Sequence, residues 1–504
     1  MLPWPELAAL AGIALIGVAT LNYPFAGDQA LFAVGAAKLH AGGLLYRDFW
    51  DLKQPGIYLF YLAAGSLFGF SEFGVHLLEL LVLLGFSVLL QRVLSSYLAS
   101  RWASAAAPLM IVGSYYAIGT EPTFTQVEML AGVALFVTLW LAVTGNASRG
   151  ARRVWYLLAA GIAGAAVLLL KLMYLPVVLA IWSVVLLAGD RDAKLPRSAW
   201  PSTIAALLAG LLLPLLALWA AFAPHIGARL LSETFFVYPP EIVARLPHPS
   251  IARLFYSGYW FVGYFAPIVL LGTLAFVAEW RRPRPFSLAL VVWIVFGSIT
   301  IALQRQSWWP YQFLLLLVPF GILAASGVER LLASSAAEPA RGQLANRRVI
   351  LVTGLALAFS LIGVKAAAKI EGFSRSGFDL TRADRSAYQF RTSSGYRQAR
   401  DETAFLNGPL TRRGAIYVIG DPIYYRFAHR EQAISLNGWA PMMLLPEQWL
   451  SLRDELRRHR PVYIFIESEY QGIVDERSPE LLAFLRSHYD VLTHDAAGTW
   501  WAAR

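Results

Sequence analysis

Residues 27–63 read GDQALFAVGAAKLHAGGLLYRDFWDLKQPGIYLFYLA, a stretch that sets Asp28, Arg47, Asp48, Asp51 and Lys53 close together in the chain. Carboxylates beside cations can do acid–base work or hold an oppositely charged group. They can also neutralise one another in a solvated turn. Asp28 stands where it could cap a helix beginning at QALFAVG. Asp48 and Asp51 can pair with Arg47 and Lys53, and Lys53 sits beside Pro55-Gly56, where a helix would start. Further along come Glu121, Glu128, Lys171, His225, Glu233, His248 and Arg305, each near the end of an apolar run or between two of them.

The elements that must position these groups are set by composition. The chain has 504 residues, 57% hydrophobic and 15% charged, with a mean hydropathy of +0.53. Soluble domains are about 25% charged, so this is a polytopic helical membrane protein. There is no cysteine, which excludes disulfides and thiolate metal sites. The net charge of +10 lies mostly between apolar runs. That distribution points to membrane topology and anionic lipid as partners, and not to nucleic acid. Residues 1–21 lack a basic start and a clear small-residue cleavage site, so they read as a retained span.

A window of about 20 apolar residues finds about eleven candidate spans. They centre near Ile13, Val82, Leu109, Phe136, Val167, Leu179, Leu213, Leu270, Ile294, Leu317 and Leu357. Residues 154–188 are too long for one span and divide at KLMYLP. Residues 56–70, GIYLFYLAAGSLFGF, are too short and glycine-rich to cross, and are expected to form an interfacial or re-entrant helix. With that choice, alternate connections after the second span carry fifteen Lys and Arg on one side, from Arg92 to Arg348. The other side carries five: Lys171, Arg229, Arg245, Arg253 and Arg305. The basic side is expected to be cytoplasmic. The loop 22–74, the turn at Lys171, the segment 224–258 and the QRQSWWPY turn are then external. In that turn Trp308, Trp309 and Tyr311 suit an interfacial aromatic belt.

From residue 368 the composition turns polar and Arg-rich, giving two expected domains, 1–367 in the membrane and 368–504 outside it. GAIYVIGD (414–421) and PVYIFIES (461–468) read as buried strands, and EQWLSLRDELRRH and PELLAFLRSHY as amphipathic helices, so the tail should be a small α/β domain. VIGDP ends a strand with Gly-Asp but lacks the glycine pattern of a nucleotide site.

Acids and bases gathered on one external level, with few charges inside spans, fit an enzyme better than a transporter. A transporter would place ionisable groups at mid-depth on broken helices of repeated halves. GDQALF, LLYRDFWDLKQPGIYLFYLAAGSLFG, TQVEMLAGVALFV, LLLKLMYLPVVLA and WWPYQFLLLLVPF occur in the order found in the GT-C membrane glycosyltransferases. Over about residues 1–370, and weakly over the tail, the chain resembles bacterial relatives of protein O-mannosyltransferases and of the lipid A aminoarabinose transferase. The resemblance implies a GT-C fold, with a catalytic acid just after the first span and two short helices lying along the membrane. It also implies a polyprenyl-phosphate-linked sugar donor and a glycan, lipid or protein acceptor, in the inner (plasma) membrane.

On that reading Asp28 would take the proton of the acceptor hydroxyl, giving inversion at the anomeric carbon, with Glu128 as a second catalytic or supporting acid. Lys53, Arg47, Lys171 and Arg305 would hold the donor phosphate. Asp48, Asp51 and Tyr311 would touch substrate. Relatives often carry His and Tyr where this chain has Tyr311 and Gln312, which removes a histidine role there. No cofactor is implied beyond a possible divalent metal ion, for which Glu128, His225 and Glu233 are the candidates. A lipid-linked glycan ligase, using the segment 224–258, and a lipid or glycan transporter remain the alternatives.

Overall fold

A computed structural model describes residues 3–187, 197–281, 283–305, 307–336, 353–376, 382–409 and 411–504. The connections 188–196 and 337–352, which carry part of the expected charge asymmetry, lie outside the described residues. The chain forms two compact units, neither continuous in sequence. The first comprises Met1–Leu21, His76–Trp219 and Ser250–Phe378; the second comprises Asn22–Val75, Ala220–Pro249 and Asp379–Arg504. The loop after the first apolar helix thus belongs with the polar tail.

The first unit is a helical membrane body. All eleven expected centres fall in helical residues. Among the described residues, six helices are long and apolar enough to cross a membrane. A seventh appears if the pair Ile251–Tyr264 and Ala266–Glu279, bent by 86°, counts as one. The first helix, α1 (Trp4–Val18), has 15 residues. At 1.5 Å per residue it reaches about 22 Å, less than a full hydrocarbon layer. The element centred on Leu109 is broken: Pro108 has no N–H to give, and Leu109–Gly113 widens into a π-turn before the helix resumes at Ser114. The expected division of 154–188 is present, with helix Gly150–Leu170, an extended Lys171, a single tight turn and helix Leu175–Leu187. Helices Gly150–Leu170 and Trp200–Ile226 meet backbone to backbone. A Cβ on Gly161 would come within 2.3 Å of the Leu207 carbonyl oxygen, and one on Gly210 within 2.1 Å of that of Leu158.

In the second unit the loop supplies helices α2 (Asp28–His40) and α3 (Pro55–Phe68), packed on each other. At 14 residues α3 is too short to span, as expected. Helix α4 (Glu72–Leu94) begins here. The tail forms a four-stranded sheet in the order β1-β2-β4-β3, from β1 (Ile416–Ile419), β2 (Tyr463–Glu467), β3 (Tyr489–His494) and β4 (Gly498–Ala503). The pair β1–β2 is parallel, with helix Pro446–His459 in the crossover, and the other two pairings are antiparallel. The loop and the tail are joined by main-chain pairing: Trp50 bridges Leu436, and its N–H donates to the Ser435 carbonyl at 2.8 Å. Ile242, Leu246 and Leu445 form a buried cluster with Leu52, Tyr238 and Met443 against it.

Candidate active site

Three of the five charged candidates in the first loop converge. Lys53 Nζ lies 3.2 Å from Asp28 Oδ1 and 3.4 Å from Asp51 Oδ2. The side chains of Asp28 and Asp51 are 16% and 10% exposed, and that of Lys53 31%, so the cluster is sheltered but reachable. One ammonium faces two carboxylates, leaving a net negative charge. Burial pulls the Lys53 pKa down, but the charges of Asp28 and Asp51 outweigh it and hold the ammonium above its ordinary range. Lys53 is therefore a cation at any physiological pH.

Local structure fixes each member. Gly27, at φ +54°, turns the chain into α2 and leaves Asp28 as its first residue, where the helix dipole favours a carboxylate. Asp51 accepts from the Tyr58 hydroxyl at 2.5 Å and from the Leu52 N–H at 2.8 Å. The Tyr46 hydroxyl donates to the Lys53 carbonyl at 2.9 Å, and the Phe32 ring lies 5.5 Å under the Lys53 ammonium. Asp28 Oδ1 also accepts from the Trp439 indole N–H at 2.9 Å, a contact supplied by the tail.

Arg47 and Asp48 stand apart from this trio. Arg47 forks onto Asp48 at 2.7 and 3.0 Å, and Asp48 also accepts from the Leu44 N–H. The Arg47 hydrogen bond holds the Asp48 carboxyl below its usual range. This is the solvated pair that the sequence allowed as an alternative. It takes up the Arg47 fork, so in this structure Arg47 is not with Lys53.

In the first unit Glu128 opens helix Val127–Ala147 and is buried, and Lys171 donates to its Oε1 at 2.8 Å and the Tyr174 hydroxyl at 3.3 Å. Two of the expected residues from separate loops are thus partners. Glu128 Oε2 is buried and accepts no hydrogen bond among the described residues. Removing one partner of a buried ion pair costs about 3–5 kcal/mol. Lys171→Met should therefore lower the stability of the first unit by roughly that much, and Lys171→Met with Glu128→Leu should recover most of it. Thermal unfolding in detergent checks both.

Arg305 is exposed after helix Pro285–Leu303, and Tyr311 is half-buried in the turn Pro310–Leu316. The aromatic belt is only partly present. Trp309 is 44% exposed under the Arg253 guanidinium at 3.7 Å. Trp308 is buried and donates to the Ala302 carbonyl. Among the described residues no three His, Asp or Glu side chains gather to hold a metal ion. Glu233 is tied to Arg229 at 2.7 Å, one helical turn away.

No known family pattern matches this sequence, and no curated protein matches it. Solved structures do. The crystal structure of ArnT from Cupriavidus metallidurans bound to undecaprenyl phosphate matches with a TM-score of 0.61 at 15% identity. That match covers 99% of this chain and 97% of the other. ArnT from the same organism in the apo state matches at 0.59 and 14% identity, with the same coverage. This chain has the ArnT fold. The likeness runs from end to end, tail included, so the resemblance read from GDQALF onward holds at the level of the fold.

Within the ArnT fold, several polar groups escaped the sequence reading. Glu72, His76 and Glu79 are spaced four and three apart at the start of α4, one face of a helix, and that spacing was visible. Glu72 accepts from Tyr396 and Arg426, each at 2.6 Å, and the Tyr396 hydroxyl accepts from the Phe25 N–H. In the first unit Glu79 accepts from the Tyr115 hydroxyl at 2.5 Å and the Thr125 N–H at 2.6 Å, holding Thr125 at φ +54° just before Glu128.

A second acidic pair lies at the ends of the parallel strands. Asp421 follows β1 and Glu467 ends β2, with the Asp421 N–H donating to Glu467 Oε2 at 2.9 Å. Burial raises Asp421 most, the N–H groups of Ile423 and Gly27 oppose it, and the charges of Asp28 and Glu469 add to it, to about 6 in all. Burial likewise raises Glu467 to about 7, with Asp421 and Glu469 adding to it. Carboxyls whose folded pKa is raised stabilise the fold when protonated. That contribution is complete below about pH 4 and is lost as pH rises through about 6 to 7. Protection factors of residues 416–467, with the intrinsic exchange rate at each pH divided out, should therefore fall between about pH 4 and 7, and Asp421→Asn should flatten the change.

Proposed function

We propose that this protein is a glycosyltransferase that moves a sugar from a polyprenyl-phosphate donor to an acceptor hydroxyl on the extracytoplasmic face. The observation that carries the reading is the sheltered Asp28–Lys53–Asp51 cluster, set at the start of α2 in a chain with the ArnT fold. The ArnT crystal bound to undecaprenyl phosphate is consistent with a polyprenyl phosphate as donor headgroup.

The geometry supports one direct displacement. In the structure Lys53 neutralises Asp28 and Asp51. A donor phosphodiester arriving beside Lys53 competes for the ammonium; it carries one charge, like each carboxylate, and gains a second as its bond to the anomeric carbon breaks. As Lys53 turns to it, Asp28 loses its cation and becomes the stronger base, while Asp51 stays held by the Tyr58 hydroxyl. Asp28 then takes the proton of the acceptor hydroxyl as its oxygen bonds to the anomeric carbon. The bond from that carbon to the phosphate oxygen breaks with inversion, and its electron pair leaves on the polyprenyl phosphate, where Lys53 balances the developing charge. A nucleotide sugar is not required, and the expected external face is where a lipid-borne sugar would be met.

The ligase alternative loses ground in the segment 224–258. Arg229 is paired to Glu233, and Arg245 to Glu241 and Glu447. Purified protein in vesicles containing an undecaprenyl-phosphate-linked sugar tests the proposal. Release of undecaprenyl phosphate with glycosylation of an added acceptor supports it, whereas movement of the intact lipid across the bilayer without cleavage would make the protein a transporter.

A further inference from the structure

We propose that the C-terminal segment builds the reactive end of this site, with Trp439 and Asp421 as positioning residues for Asp28. The inference rests on Asp28 being the base proposed above, but its geometry lies wholly within the second unit. Two Gly-Asp pairs meet there. Gly27-Asp28 opens α2, and Gly420-Asp421 follows β1. The tail grips the first pair twice.

The first grip is on the carboxylate. Trp439 Nε1 donates to Asp28 Oδ1 at 2.9 Å, the same oxygen that faces Lys53 at 3.2 Å. The indole also packs against the backbone before it: a Cβ on Gly27 would come within 2.6 Å of Trp439 Cζ2, so only glycine admits the ring. Trp439 is itself held. Its N–H donates to Asn437 Oδ1 at 3.0 Å, and Asn437 Nδ2 donates to the Trp50 carbonyl at 2.7 Å. Gly438 lets this loop press on β1, since a Cβ there would meet the Val418 carbonyl oxygen at 2.0 Å.

The second grip is on the main chain. The Gly27 N–H donates to Asp421 Oδ2 at 3.1 Å, and Asp421 Oδ1 accepts from the Ile423 N–H at 2.9 Å. The carboxylate therefore bridges the end of β1 to the turn that aims Asp28. Such a clamp matters at Gly27, because φ +54° and ψ −107° is a conformation that few residues other than glycine adopt. The arrangement lies at the carboxyl ends of the parallel strands, where α/β sheets commonly present functional groups.

An indole that only packed would be replaceable by phenylalanine. One that aims a carboxylate would not, because the lost N–H frees Oδ1 to swing toward Lys53. The test uses the full chain in nanodiscs, labelled with 5-fluorotryptophan at its 17 tryptophans. The Trp439 fluorine resonance is assigned by its absence in Trp439→Phe. Asp28→Asn is expected to move that resonance beyond its line width. With an undecaprenyl-phosphate-linked sugar, Trp439→Phe should lower kcat about tenfold with the donor KM unchanged, and Trp439→His, which restores an N–H, should regain part of it.

A resonance indifferent to Asp28→Asn would overturn the contact. Full kcat in Trp439→Phe, where Asp28→Asn is inactive, would overturn the positioning role. A resonance that moves in a protein that transfers no sugar would uphold the grip on Asp28 and sink only the transferase reading.

Discussion

Asp28→Asn is expected to lower sugar transfer by about 10²–10⁴, the usual worth of a positioned general base, with little change in donor KM. Asparagine is nearly the same shape and keeps an oxygen to accept the Trp439 N–H. It loses the charge opposite Lys53, but Lys53 retains Asp51 at 3.4 Å, so the cost in stability should be only about 1 kcal/mol. Loss of turnover in a protein that unfolds at nearly the wild-type temperature would place the effect in the chemistry. Initial rates of undecaprenyl phosphate release, beside a melting curve of each variant, make the comparison. Full activity in Asp28→Asn would remove Asp28 from the role of base.

The second large effect belongs to Lys53 and is twofold. Lys53→Met leaves Asp28 and Asp51 sheltered with no cation between them. Stranding a fully buried charge costs about 3–5 kcal/mol, and the partial exposure of this lysine reduces that to roughly 2 kcal/mol. The same substitution removes a charge-assisted contact to the donor phosphate. It should weaken binding of undecaprenyl phosphate by roughly 10- to 100-fold. The two effects separate in Lys53→Met with Asp51→Asn, which relieves the repulsion and should regain most of the stability while binding stays weak. If the double variant recovers phosphate binding as well, Lys53 is only a counter-ion for its neighbours. Lys53→Arg should restore the charge but not the geometry, because a planar fork cannot replace a compact ammonium between two carboxylates.

What was legible in the sequence was local. The runs YVI and YIFI, each bounded by turn residues, announced β1 and β2, and the apolar periodicity of 446–459 and 479–488 announced their helices. The hairpin of β3 and β4 was not legible. YDVLTH is exposed at five of its six positions, so no alternation marks it, and GTWWAA is a short strand that gains meaning only once paired with β2. The union of the first loop with the tail was hidden for a related reason. It is carried in part by main-chain groups, the Trp50 N–H and the Phe25 N–H that donates to Tyr396, and backbone groups leave no trace in a sequence.

Composition marked a change near residue 368 but could not show that residues 22–75 cross it. At the site, the charge types in 27–53 made Asp28, Asp51 and Lys53 visible as candidates, while the preference for Lys53 over Arg47 needed coordinates. Arg47 had a nearer partner in Asp48, and Lys53 had two carboxylates and an aromatic face. Trp439 gave no signal at all: a single tryptophan in a polar loop looks the same whether it packs or points a hydrogen bond at a carboxylate 411 positions away.

The most direct measurement is a structure of the full chain in a lipid nanodisc with undecaprenyl phosphate. The account predicts phosphate density within hydrogen-bond distance of Lys53 Nζ, with the ammonium drawn away from Asp28 Oδ1 beyond its present 3.2 Å. Phosphate density remote from Lys53, with the Asp28–Lys53–Asp51 cluster unchanged, would contradict it.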